Sequence, residues 1–110
     1  MGALAVGEVV LVRFVSAGAR SFKIRPAAVV GLAERGEVIL CQITSQAYGS
    51  KLAMPISDAN FEEGGLERAS FARCDKLFTA SEAIIARSVG ELDWATSDLL
   101  QERVAKLFGD

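Results

Sequence analysis

The apolar residues of this chain fall into short runs rich in β-branched side chains, and the clearest is Glu37 to Thr44 (EVILCQIT), set between LAERG and SQAYGS. Runs of this length bounded by glycine and small polar residues signal strands, because an amphipathic helix needs a 3.6-residue period over a longer stretch. Gly7 to Phe14, Ile24 to Val30, Lys51 to Ile56, Ala69 to Asp75 and Ile84 to Gly90 read the same way. Pro26 has no N–H for a ladder, which places the start of its strand at an edge or an end. Residues 57–68 read as a long acidic loop broken at Gly64 and Gly65, and 76–83 as a single helical turn. The period changes only near the end. From Thr96 or Ser97 as N-cap, Leu100, Val104, Leu107 and Phe108 recur at helical spacing, and Gly109 suits the C-cap. Several short strands closed by one helix predict a mainly β fold, a small, strongly bent sheet or barrel.

The chain has 110 residues, 51% of them hydrophobic and 24% charged, enough for one core and hence a single domain over 1–110. A mean hydropathy of +0.31 is high for so small a domain and implies that a second copy covers part of the apolar surface. No apolar run approaches the roughly 18 residues that span a bilayer, and the N-terminus has no leader pattern, so a cytoplasmic protein with no membrane association is expected. Cys41 and Cys74 stand in no CxxC or Cys/His cluster and are expected as buried thiols, not zinc ligands.

Most enzyme classes lose their marks here. There is no histidine, no GxxxxGK[ST] phosphate loop, no GxGxxG, no GxSxG and no cluster of metal ligands, so no cofactor is expected. The net charge of -2 hides an asymmetry: residues 1–51 carry six Lys+Arg against three Asp+Glu, while 52–110 carry six against eleven. A basic face on the first half could collect phosphates, although scatter of surface charge reads equally well. Polar residues at strand ends remain: Arg25, Thr44 to Gln46, and Arg73 with Asp75. Residues two apart in a strand share a face, so Arg73 and Asp75 can present a cation and a carboxylate together, or form a rim ion pair of little worth. Thr44 alone reads as a β-former whose hydroxyl meets a loop backbone. Arg25 beside a core run must snorkel to water or meet an anion, and phosphate matches its planar fork. Phe22 reads as a loop phenylalanine tucked against the barrel or as a base-stacking platform, and Trp94 as a packing anchor before the helix.

In order, GEVVLVRF, KIRPAAVV, VILCQITSQ and ARCDKLFT resemble the sequence blocks of the MazF/PemK/Kid toxins, the mRNA-cleaving endoribonucleases of type II toxin–antitoxin modules. The resemblance runs from Gly7 to about Leu107. It implies an SH3-like barrel with a C-terminal helix, a homodimer, single-stranded RNA in a groove near the dimer interface, and a cognate antitoxin whose tail lies over that groove. Catalytic positions carry over to Arg25, Thr44, Arg73 and Asp75. Metal-free cleavage leaving 2′,3′-cyclic phosphate and 5′-OH ends needs a base for the 2′-OH, for which Asp75 is available, and positive charge on the phosphorane, for which Arg25 and Arg73 are. Thr44 can hold a phosphate oxygen. Arg20 and Lys23 can position flanking phosphates, while Ser45 and Gln46 can read base edges. Two other readings stay open: a toxin of the same fold that poisons gyrase by protein contact, as CcdB does, and a non-catalytic SH3-like interaction module.

Overall fold

The computed structural model describes residues 3–15, 21–47 and 49–109. Over these residues the chain forms strands β1 (Glu8–Val15), β2 (Phe22–Leu32), β3 (Glu37–Thr44), β4 (Ala53–Ile56), β5 (Phe61–Gly64), β6 (Ser70–Ser81) and β7 (Ile85–Leu92), then helix α1 (Trp94–Lys106). The strands make one antiparallel sheet in the order β4-β6-β3-β2-β1-β7-β5. Register shifts interrupt the pairings of β1 with β7, β2 with β3, β3 with β6 and β5 with β7. Such irregularities bend a sheet, and here they curl it into a half-barrel with α1 packed on β6.

The three middle strands read as continuous apolar runs because both of their faces are buried. Val9, Ala28, Val30, Cys41 and Ile43 enter one core with Met54, Ile56, Ala72, Cys74, Leu92 and Leu100. Their neighbours Val10, Val12, Ala27, Val29, Val38 and Leu40 enter a second core with Leu4, Ala80 and Ile85. Cys41 and Cys74 are both buried and unpaired, and burial pushes the Cys41 thiol up to about 12.

Several expectations need correction. β2 is the central strand of the sheet, and it starts at Phe22, before Pro26. Proline survives there because the ladder to β3 begins only at Ala27, opposite Gln42, so the first half of β2 is a local edge. The acidic loop contains a 3-10 turn (Asp58–Asn60) and β5, since Phe61 pairs with Leu92. The helical turn expected at 76–83 is strand as far as Ser81, and a single 3-10 turn follows at Glu82–Ile84. The helix starts earlier than expected, because Asp93 is the cap: its Oδ1 accepts from the Thr96 N–H at 2.7 Å, while the Thr96 hydroxyl accepts from Asn60. Hydrogen bonding by Thr96, through its side chain first and its N–H second, holds the Asp93 carboxyl below its usual range, so the cap stabilises the helix above the ordinary carboxylate pKa and fades as pH falls through the lowered one. At the other end the cap is Leu107, with Gly109 two residues beyond. Trp94 is 80% exposed on the first turn of the helix, not an anchor. Phe22 is half exposed at the head of β2, where the Arg13 guanidinium lies 6.0 Å from its ring centre.

Candidate functional site

Past Ala27 the β2 and β3 strands part. Ala27 faces Gln42, and continuing that register would bring Arg25 opposite Thr44, but the ladder has already stopped at Pro26. The split opens a cleft of about 700 Å³ lined by Lys23, Arg25, Thr44 and Ser45 on one side and by Glu67, Arg68 and Arg87 among others. A smaller cavity of about 350 Å³ adjoins it, sharing Arg25 and Thr44 and adding Gln42, Arg73 and Lys76. Arg25 is exposed, and among the described residues it forms no ion pair. The Thr44 Oγ1 accepts from the Gln46 N–H at 3.2 Å, which leaves its own hydroxyl proton free to donate elsewhere.

Arg73 reaches the smaller cavity from an irregular stretch of β6. Cys41 opposes Leu77 and Ile43 opposes Ala72, so residues 73–76 of β6 face Gln42 alone and bulge out of the ladder. Bulges re-aim side chains, and this one carries Arg73 and Lys76 to the cavity, with Asp75 between them in the chain, while Cys74 anchors it in the core. The sharing of a face by Arg73 and Asp75 is realised as a two-pronged pair, Nε to Oδ1 and Nη2 to Oδ2, both at 3.1 Å. The Arg73 side chain is 16% exposed and that of Asp75 30%. Arg73 holds the Asp75 carboxyl below its ordinary range.

Arg25, Thr44 and Arg73 therefore meet in one cavity, and Asp75 joins them through Arg73. Lys23 and Ser45 line the larger cleft. Gln46 lines neither cavity, and Arg20 lies outside the described residues. Sequence reasoning missed Lys76, Arg68, Arg87 and Glu67. Arg87 carries the signal that singled out Arg25, a cation inside an apolar strand. Among the described residues, six cations and one carboxylate line the two cavities of a chain whose net charge is -2.

Glycines on the far wall set its position. Gly64 has φ +73°, and a Cβ there would collide with the Val89 carbonyl of β7. Gly64→Ala is expected to cost at least about 2 kcal/mol through left-handed backbone strain and loss of close β5–β7 approach, read as a lowered denaturation midpoint.

A half-barrel whose split strands wall a cation-lined cleft presents a local positive field on a chain of net negative charge. Residues 5–108 match the family described as PemK-like, MazF-like toxin of type II toxin-antitoxin system, and the chain belongs to that family. Its structure is similar to the Mycobacterium tuberculosis toxin MazF-mt6, at 21% identity over 90% of this chain and 94% of that one, TM-score 0.68. It is also similar to a chain of MazE-MazF (Form-II) from Deinococcus radiodurans, at 18% identity over 99% and 98%, TM-score 0.76. A third similar structure is an endoribonuclease in complex with its cognate antitoxin from a mycobacterial species, at 15% identity over 99% and 96%, TM-score 0.73. At such identities the likeness is one of fold, and it agrees with the mainly β barrel and C-terminal helix expected. No curated protein matches the sequence significantly.

Proposed function

We propose that this toxin is an endoribonuclease of the cytoplasm that cuts single-stranded RNA at specific sequences without a metal, leaving 2′,3′-cyclic phosphate and 5′-OH ends. The meeting of Arg25, Thr44 and Arg73 around one cavity carries this reading. The 2′-oxygen attacks phosphorus, the bond to the 5′-oxygen breaks as that oxygen takes a proton from solvent to leave as the 5′-OH, and Arg25 and Arg73 stabilise the charge on the phosphorane between. The Thr44 hydroxyl donates to a phosphate oxygen. Asp75 holds Arg73 by two bonds and takes the 2′ proton, weakly, because its proton affinity is lowered; turnover is slow as a result. Lys23, Ser45, Arg20 and Gln46 act on the flanking nucleotides.

The whole chain, 1–110, acts as one toxin domain. Among the described residues no helix is long and apolar enough to cross a membrane. A second copy covers exposed Val15, Phe22 and Ile24 at the neighbouring ends of β1 and β2, which makes the active form a homodimer with the clefts at its interface. A cognate antitoxin with an acidic tail inhibits by occupying the cations of the cleft. The mycobacterial endoribonuclease of the same fold is in complex with its cognate antitoxin, and the Deinococcus radiodurans chain belongs to a MazE-MazF structure.

Incubating the protein with a long mRNA in excess chelator is expected to yield discrete fragments with cyclic phosphate ends. Uncut RNA would overturn the reading, in favour of a gyrase poison if gyrase is captured and of an interaction module if it is not. Asp75→Asn is expected to lower cleavage at least ~100-fold without changing the melting temperature. Because the Asp75 carboxylate stays ionised below the ordinary range, and the chain has no histidine, kcat/KM should show no limb near pH ~6.5 and fall only at more acid pH than an unperturbed carboxylate allows, near ~3.9. A limb near neutrality would remove Asp75 as the titrating group.

A further inference from the structure

Glu67 is the odd residue of the large cleft. Lys23, Arg25, Arg68 and Arg87 line the same walls, yet among the described residues Glu67 forms no ion pair with any of them. Its position is held on both sides. The Leu66 N–H before it donates to Asp58 Oδ1 at 3.2 Å, and the Ser70 hydroxyl donates to the Arg68 carbonyl after it at 3.0 Å. A loop pinned on each side of one residue presents that side chain at low entropic cost.

A carboxylate can only accept hydrogen bonds and is repelled by phosphate, so in a strand whose phosphates rest on the surrounding cations the donors left to it are ribose hydroxyls and base edges, and only a base edge offers two donors side by side. Single-stranded RNA leaves its Watson–Crick edges open to such contacts. Guanine alone offers two adjacent donors there, N1–H and the N2 amine, matched to the two oxygens of a carboxylate. Adenine and cytosine set one amine beside a ring nitrogen that accepts, and uracil sets one N–H between two carbonyls; each would turn an acceptor toward the second oxygen. We propose that Glu67 selects a guanine close to the cleaved phosphate, with Arg68 and Arg87 holding the phosphates that flank it. This assignment rests on the nuclease reading and adds its specificity.

The test has two arms. Fragment ends from wild-type protein on a long RNA are mapped, and a short RNA bearing one mapped site is then made with inosine, which lacks the N2 amine, in place of each guanine. The expected results are a guanine at one fixed position of every site and a fall in kcat/KM of about tenfold to a hundredfold when that guanine becomes inosine. Glu67→Gln, on an exposed loop, should cut both RNAs alike. Sites without a shared guanine, equal cutting of guanine and inosine RNAs by the wild type, or an unchanged preference in Glu67→Gln would each overturn the assignment. The inosine comparison uses wild-type protein and stands whether or not the variant folds. RNA left whole by the wild type would overturn the nuclease reading, and this assignment with it.

Discussion

Arg25→Ala should lose about 10²–10³-fold in the rate of RNA cleavage while its denaturation midpoint stays within about 0.5 kcal/mol of the wild type. The two halves of that result come from where Arg25 stands. Its backbone belongs to β2 and pairs with Val12, so the strand survives any side chain at this position. The guanidinium itself is exposed at the opening between β2 and β3, and both cavities touch it. Arg25→Lys should recover part of the lost rate, because it restores the charge but not the planar fork that grips two phosphate oxygens. Single-turnover cleavage of one short RNA decides the matter. Cutting at the wild-type rate by Arg25→Ala would remove this residue from the chemistry and leave its charge stabilisation to Arg73.

The largest effect on stability is expected at Leu100. Its side chain is 1% exposed and is the helix's main contribution to the core that also holds Ile43, Ile56 and Cys74, with Val104 packed beside it. Leu100→Ala removes buried carbon and leaves a cavity that a helix seated on β6 cannot collapse, a cost of about 2–5 kcal/mol. Chemical denaturation should show a lower midpoint with an unchanged slope. The site should feel it too, since Cys74 in the same core lies between Arg73 and Asp75. A loss below about 1 kcal/mol would mean that the helix does not seal this core.

The residues of the candidate site drew notice through residue type and order. Arg25 drew notice because a cation beside a core run requires an explanation, and Thr44 because it ends the clearest strand. Arg73 and Asp75 drew notice because period-two geometry puts them on one face, and they do pair, although from a bulge that no period announces. Arg87 has the same local signature as Arg25, but Arg13 has it as well and lies against Phe22. Nothing local separates the three; which arginine meets the cleft depends on strand order. Likewise Asp93, Thr96 and Ser97 are all competent caps, and Asn60, far back in the chain, decides among them by engaging Thr96.

The sequence by itself determined the strand-rich class, the closing helix, the buried thiols and the candidate residues of β2, β3 and β6, because hydrophobic period, proline chemistry and side-chain charge act over a few neighbouring positions. Tertiary structure alone decided that β2 lies at the centre of the sheet, that β7 beside β1 brings Arg87 to the cleft of Arg25, and that the pinned loop before β6 sets Glu67 among cations. Those outcomes depend on contacts between segments distant in sequence, whose pairing is selected by the burial of both sheet faces together and leaves no trace in any one of them.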